Sequence, residues 1–377
     1  MRTNRAKTLL HAGLGILASV LVVGACGQGS AVPFAAAPPS SAAAAGSPTD
    51  PAPSTGPTPE PSASASLRAA PWIAFTAHAE DGIGIYLAAP DGVRHQLLLD
   101  IPSGMIHRPD WSPDGRQLAV EALGDEDPPT GSIWIADSSG KAAQKVATCD
   151  APPCLQLAMP AWSPDGASLA LVRFDVGRDG RAGRTAIEIL DLASGRRTTI
   201  AETVDWRTSF AYPRWAPDGR SLVLEYEEFS DDSQAVMTGS AIATIDAAGP
   251  RSQAPKLITK MSGFGAHPDW RPDGQRIVFG SYGIESFERG GPGASNLYTV
   301  NPDGSGLTQS TRFGLGESRA GHPSWTPDGK RIIFTKIDGT DFDGYGARRI
   351  ASIDVDGSNL QVIDLYLGTF PRLQPTR

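Results

Sequence analysis

One stretch recurs along this chain and limits what the chain can fold into. His322-Pro323-Ser324-Trp325-Thr326-Pro327-Asp328-Gly329, followed by the apolar run Arg331-Ile332-Ile333-Phe334, is its clearest copy. The pattern Pro-x-Trp-x-Pro-Asp-Gly, then a short β-type run, returns at residues 109–120, 160–171, 213–224 and 268–279. Trp111, Trp162, Trp215, Trp270 and Trp325 stand 51, 53, 55 and 55 residues apart. A near-fixed period of this length signals stacked or radial supersecondary units. Within each copy Pro presets φ for the first corner of a β-turn, Asp suits the second, and Gly accepts the left-handed conformation that closes it. Strand formers bounded by turn signals read as strand, tight turn, strand. A large aromatic recurring once per unit is what packing between units needs, so the five tryptophans are expected to be scaffold rather than ligand contacts.

Each unit continues with a second pair of strands. The third strand ends in another turn, as in Ile133-Trp134-Ile135-Ala136-Asp137 reaching Gly140 and Leu297-Tyr298-Thr299-Val300-Asn301-Pro302-Asp303-Gly304. Six such third-strand hairpins are present, the first at residues 85–92, against five full Trp motifs. The missing motif is divided between the chain ends. Phe370-Pro371-Arg372-Leu373-Gln374-Pro375 is a decayed echo of Tyr212-Pro213-Arg214-Trp215-Ala216-Pro217, and Trp72-Ile73-Ala74-Phe75 matches second strands such as Ile332-Ile333-Phe334. The C-terminal segment is therefore expected to supply the first strand of a unit whose other three strands lie in residues 72–100. That would close a ring and remove the exposed edges of an open array. The sequence predicts an all-β chain over residues 71–377, a six-bladed β-propeller of four antiparallel strands per blade.

The segment before it differs in composition. Residues 1–7 are basic and residues 8–23 are apolar apart from His11, followed by Val23-Gly24-Ala25-Cys26. This has the form of an export signal over residues 1–25. Val23-Gly24-Ala25-Cys26 resembles a bacterial lipobox, which implies lipidation of Cys26 and a membrane-anchored, extracytoplasmic lipoprotein; a plain secretory signal with an incidental Cys is the alternative. The apolar run is shorter than the roughly 20 residues that span a bilayer. Residues 27–70 are almost wholly Ala, Pro, Ser, Thr and Gly. Such a segment cannot bury enough apolar surface to offset the entropy of ordering, so residues 26–70 read as a disordered tether.

The repeated Trp-Ser-Pro-Asp-Gly-x-x-[Ile/Leu]-[Ala/Val]-[Phe/Val/Leu] resembles the TolB-type, WD40-like β-propeller repeat across residues 72–375. The family includes periplasmic protein-binding propellers, propeller domains of prolyl-type peptidases, and sugar-acid lyases with a metal in the central channel. This chain differs from the Tol-system protein in carrying a tether where that protein has an α/β domain, and in its lipobox. The resemblance implies that first strands line the channel. It also implies that the loops entering them share one face with the second-to-third-strand loops, here residues 122–132, 175–184, 227–240, 281–295 and 336–349. Function concentrates on variable loops held by a rigid frame. The residue before each repeat Pro then falls near the channel mouth: Arg108, Met159, Tyr212, His267 and His322. Arg108, Tyr212, His267 and His322 are the candidate binding residues. His267 and His322 also resemble the metal-holding histidines of the lyase branch, with His107 one step out of register; a structural role is the alternative.

Net charge is −8, and no basic stripe interleaves with aromatics, so nucleic acid is an unsuitable partner. Cys149 and Cys154 flank four residues, which outside the cytoplasm reads as a disulfide, with a metal pair as the weaker alternative. Residues 338–344 are acidic but lack the ligand pattern of a calcium loop. Residues 316–321 miss the nucleophile-elbow pattern. No phosphate loop or dinucleotide fingerprint occurs, and no catalytic residue, resident metal or cofactor is assigned. The expected function is non-catalytic binding of a protein, peptide or glycan. A lyase or hydrolase with a metal or substrate site near His267 and His322, and a structural part of an envelope complex, are the alternatives.

Overall fold

The structure, a computed structural model, describes residues 71–375 except 80–81, 90–94, 98, 100, 102–104, 125–129, 177–181, 231–235, 264, 282–294, 315–317, 339–346 and 367. The export signal, Cys26 and the tether lie outside the described residues, as do large parts of the five long loops and of the acidic 338–344 segment. The described chain is all-β apart from one 3-10 turn at Met261–Gly263, and among the described residues no helix is long and apolar enough to cross a membrane.

The strands pair in chain order. First come β1 (Ile73–Ala79), β2 (Gly82–Ala88) and β3 (His95–Leu97), antiparallel to one another in sequence. Four-strand antiparallel meanders follow. The first is β4 (Met105–Trp111), β5 (Gln117–Leu123), β6 (Gly131–Asp137) and β7 (Gln144–Thr148). Next come β8 (Cys154–Trp162), β9 (Ser168–Val176), β10 (Ala182–Asp191) and β11 (Arg197–Glu202). Then β12 (Thr208–Trp215), β13 (Ser221–Phe229), β14 (Met237–Asp246) and β15 (Lys256–Leu257). They are succeeded by β16 (Gly265–Trp270), β17 (Ile277–Ser281), β18 (Asn296–Val300) and β19 (Thr308–Gln309). Last are β20 (Ser318–Trp325), β21 (Arg331–Asp338), β22 (Ala347–Asp354) and β23 (Gln361–Tyr366). The final strand, β24 (Thr369–Leu373), lies antiparallel to β1, with Leu373 opposite Ile73 and Thr369 opposite Thr76.

The repeat's turn chemistry is visible in the backbone. In each Trp-x-Pro-Asp-Gly copy the Gly has φ between 65° and 72°. Its N–H donates to the carbonyl three residues back, as from Gly115 to Ser112 at 2.8 Å and from Gly329 to Thr326 at 2.8 Å. The Asp carboxylate ties the corner to the next strand: Asp114 Oδ1 accepts from Ser112 Oγ at 2.7 Å and from Arg116 N at 3.0 Å. These turns join first to second strands. The longer connections join second to third strands at the opposite end, where Met105 sits opposite Leu123.

Apolar clusters fill the seams between meanders. Trp162 packs with Ala119 and Ile133 of the preceding meander, and Trp325 with Val278 and Leu297. The indole N–H groups reach across the same seams. Trp111 donates to the Arg372 carbonyl at 3.1 Å, Trp162 to Asp110 at 3.1 Å and Trp215 to Ala161 at 3.2 Å. In each case the acceptor immediately precedes the equivalent residue of the neighbouring unit, Leu373, Trp111 or Trp162. Cys149 and Cys154 are joined in a disulfide, Cα to Cα 5.4 Å, at the entrance to β8.

Candidate functional site

The first strands carry an irregularity at one shared position. Pairing slips between His107 and Asp110, Ala158 and Ala161, Ala211 and Arg214, Ala266 and Asp269, and Gly321 and Ser324. Inside each slip one non-glycine residue adopts a left-handed backbone: Arg108 (φ 51°), Met159 (56°), Tyr212 (51°), His267 (52°) and His322 (50°). Phe370, before Pro371 in β24, does the same at 53°. Pro fixes the next residue and disfavours the helical region for the residue before it. A left-handed residue before Pro is a bulge device that turns a side chain out of its strand's alternation. Here it aims six side chains at one axis.

Those six side chains meet. The rings form a chain of contacts: Tyr212 to His267 with centroids 4.1 Å apart, His267 to His322 at 4.3 Å, and His322 to Phe370 at 3.9 Å. The Arg108 guanidinium lies 5.4 Å from the Tyr212 ring centre and 5.2 Å from that of Phe370. Met159 completes the lining, and a cavity of about 20 Å³ remains between them. That is room for about one water. His107 is buried in β4 but does not line this cavity.

A side chain in the middle of a second strand holds the next unit's axial residue in three cases. Thr76 Oγ1 accepts from Arg108 N at 3.1 Å, Glu121 Oε2 from Met159 N at 2.9 Å, and Glu225 Oε2 from His267 N at 3.1 Å. Tyr212 N instead meets Met159 Sδ at 3.2 Å. Glu121, fully buried, also accepts two hydrogen bonds from Arg108 Nη1 at 2.8 Å and one from Gln156 Nε2 at 3.2 Å. Two residues further towards the turn face, Arg214 pairs with Asp110 at 2.8 Å and Arg372 with Asp269 at 3.2 Å. Asp110 and Asp269 also accept from the backbone N–H of Trp162 and Trp325, at 2.8 and 2.9 Å.

Electrostatics follow from this packing. Burial drives the His267 pKa down to about 3, with Arg108, Arg372 and Arg214 adding to the effect. Burial and the neighbouring His267 hold His322 well below its ordinary value. Both imidazoles are therefore neutral at physiological pH. Burial opposes the charge of Arg108, but Glu121 and Tyr212 together outweigh it and keep the guanidinium protonated. Tyr212 is pushed up to about 12, chiefly by burial. Glu225 is raised well above the carboxylate range by burial and by Glu227, two residues on. His322 Nδ1 lies 3.4 Å from Thr335 Oγ1, while His267 Nδ1 is buried without a hydrogen-bond partner. Aromatic rings flank the two histidines, and among the described residues no group of three or more His, Cys, Asp or Glu is placed to hold an ion.

The four candidate binding residues thus lie together at the axis. Sequence reasoning missed Phe370 as the sixth member, although its place before Pro371 in the decayed motif marked it. It also missed the ring of Asp110, Arg214, Asp269 and Arg372. The signal was available, because the x of Pro-x-Trp reads Asp, Ala, Arg, Asp and Ser along the chain. Thr76, Glu121 and Glu225 carry no local motif.

Antiparallel meanders whose first strands converge on one axis define a β-propeller. Residues 125–375 match the TolB β-propeller domain, and the chain belongs to that family. Among solved structures, TolB from Acinetobacter baumannii is similar, at 17% identity and TM-score 0.59, over 81% of this chain and 67% of that one. A putative TolB from Agrobacterium tumefaciens is similar at 22% identity and TM-score 0.54, over 79% of this chain and 90% of that one. A chain of a nidogen/laminin complex matches at 11% identity and TM-score 0.54, over 80% of this chain and 98% of that one. At such identities the likeness is one of fold. No curated protein matches the chain.

Proposed function

We propose that this chain is an extracytoplasmic binding module, anchored through Cys26, whose propeller engages a protein, peptide or glycan on its long-loop face without bond chemistry. In this reading six four-stranded blades close into a ring through β24 on β1. Residues 26–70 hold the ring away from the membrane. One observation carries the non-catalytic part: the axis is filled by six side chains that leave room for about one water. A substrate has no chamber there, and the histidines are held neutral with pKa values far below working pH. General acid–base catalysis works best with a pKa near the operating pH. Arg108, Tyr212, His267 and His322 then form the floor beneath the loops, which a partner touches from the loop side. Propeller members of the fold that bind other proteins, such as the chain in the nidogen/laminin complex, are consistent with this use.

The test is capture from envelope extract with the purified chain as bait, alongside metal analysis of the same preparation. Capture that is lost when residues 124–130 and 230–236, the parts of two of these loops that lie between the strands, are replaced by short Gly/Ser turns supports the reading. Stoichiometric metal that disappears in His267→Ala/His322→Ala would replace it with a channel site for metal or substrate.

A further inference from the structure

We propose that the axial cavity holds one monatomic anion, a chloride or other halide ion, with Arg108 Nε and His267 Nδ1 as its hydrogen-bond donors. The site belongs to the axis itself and is independent of what the loop face binds.

Two buried polar atoms motivate it. Arg108 and His267 both line the cavity. Arg108 Nε and His267 Nδ1 are buried, and neither has a hydrogen-bond partner. Buried polar atoms are ordinarily bonded, so each orphan needs a physical reason. Arg108 is 6% exposed, and a guanidinium can only donate. Its Nη1 serves both oxygens of Glu121, and its Nη2 donates to Tyr212 Oη at 3.4 Å. Nε is the donor not yet used. A neutral imidazole carries one N–H on either nitrogen, so His267 can add a second donor at Nδ1.

Charge decides the kind of guest. Among the described residues, the charged side chains that line the cavity are Arg108, Arg214 and Arg372. Each is paired with a carboxylate that stands outside that lining: Glu121 for Arg108 at 2.8 Å, Asp110 for Arg214 at 2.8 Å, and Asp269 for Arg372 at 3.2 Å. Asp110 and Asp269 line a separate hollow of about 320 Å³ on the turn side, together with Trp111 and Trp325. Three ion pairs thus present their cationic ends to the cavity and keep their anionic ends behind. The imidazoles register that field. After burial, the groups that depress His267 are Arg108, Arg372 and Arg214; after burial and His267, those that depress His322 are Arg348, Arg108 and Arg372. A positive potential in a desolvated, low-dielectric place favours an anion and repels a cation. A water molecule would satisfy the two orphan atoms but would leave the arginine field uncompensated.

Size then selects among anions. A cavity of about 20 Å³ has room for about one water. Phosphate, sulfate and carboxylates are too large for it, and a halide is of the right scale. Met159, Phe370 and the repeat prolines make the rest of the wall apolar, which suits a weakly hydrated ion such as bromide.

The experiment uses the purified full-length chain, exchanged into sodium gluconate and titrated with sodium bromide at constant ionic strength. A ligand that binds only the folded state raises the melting temperature as its concentration rises. Saturating bromide should raise it by about 3 °C. The double variant Arg108→Met/Glu121→Gln removes the donor together with its counter-charge and should lose that rise. Crystals grown in bromide give a second reading that needs no variant. The anomalous signal of bromide is expected on the axis, within hydrogen-bond distance of Arg108 Nε and His267 Nδ1. A melting temperature that does not respond to bromide would overturn the proposal, as would a rise that persists undiminished in the double variant. An axis that holds a water and gives no anomalous signal would overturn it as well.

Discussion

At the scale of single residues, the axial ring works as a closed electrostatic unit. Arg108 is held at the axis chiefly by Glu121, which faces it with both oxygens, and also by Tyr212. Glu121→Gln leaves the guanidinium buried without its counter-charge and should cost about 3–5 kcal/mol. Gln still accepts from Met159 N, so the loss isolates the ion pair. Adding Arg108→Met should recover at least half of it in urea unfolding; a cost below about 1 kcal/mol would show that the pair is incidental. The histidines set a pH dependence. Their folded pKa values are depressed, to about 3 for His267, from about 6.5 in the unfolded chain. Their contribution to stability is complete above the unfolded value and is lost as pH falls through 6.5 towards the folded value. Glu225 acts with the opposite sign, since its folded pKa is raised: its contribution is complete below the ordinary carboxylate pKa and fades as pH rises through the raised value. His267→Asn keeps a residue type that tolerates φ near 50° and removes the titration. It should flatten the decline in unfolding free energy between pH 7 and pH 4, and acid limbs that run parallel would refute the assignment. At this scale the sequence was legible only in part. The position before each Pro announced itself by varying within a constant motif. Its hydrogen-bond partners, Thr76, Glu121 and Glu225, lie on neighbouring second strands, and no local pattern reveals that they cap another unit's bulge.

At the scale of elements, the turn-defined hairpins were legible because Pro, Asp and Gly dictate backbone dihedrals directly. The fourth strands were not. β15 and β19 are two residues each and carry no apolar alternation, so only tertiary pairing creates them. β24 lies between these cases, because its motif has Leu373 where other units have Trp. Its role rests on contacts that the whole chain makes: Trp111 Nε1 to the Arg372 carbonyl, Arg372 to Asp269, and Gln374 Nε2 to the Gly115 carbonyl at 2.7 Å. Deleting residues 368–377 should therefore lower the melting temperature by on the order of 10 °C, as the loss of a buried ion pair and a strand implies. An unchanged melting temperature would mean that β24 does not fasten the fold. The Cys149–Cys154 disulfide is a smaller element. It closes a short loop ahead of β8, so reduction should cost about 2 kcal/mol by the chain-entropy estimate. Differential scanning calorimetry with and without reductant measures this, and a loss above about 5 kcal/mol would mean that β8 depends on the bond.

At the scale of the whole molecule, the proposed ring makes a strong claim about where the chain can begin. Gln374 N donates to the Trp72 carbonyl at 2.7 Å and Trp72 N to Gln374 Oε1 at 3.2 Å, so the two ends of the propeller lie side by side and antiparallel. A turn of two to four residues can join 375 to 71 without distortion, as in any hairpin. New ends can then be opened beside Val204, which is 85% exposed between β11 and β12. Every four-strand meander of this permuted chain would be continuous in sequence. The strand pair that now unites the two ends would become an ordinary hairpin, and no strand pairing would shut the ring across the β11–β12 seam, which is crossed by the hydrogen bond from Glu202 N to the Arg251 carbonyl at 3.0 Å and by side-chain contacts. Such a chain should fold, with far-ultraviolet dichroism like that of the original. It should also unfold at a lower temperature and at lower urea, because no strand ladder spans its termini. A permutant as stable as the parent would show that β24 on β1 adds nothing to closure. A permutant that does not fold would show that the ends meet for a reason other than a closed ring.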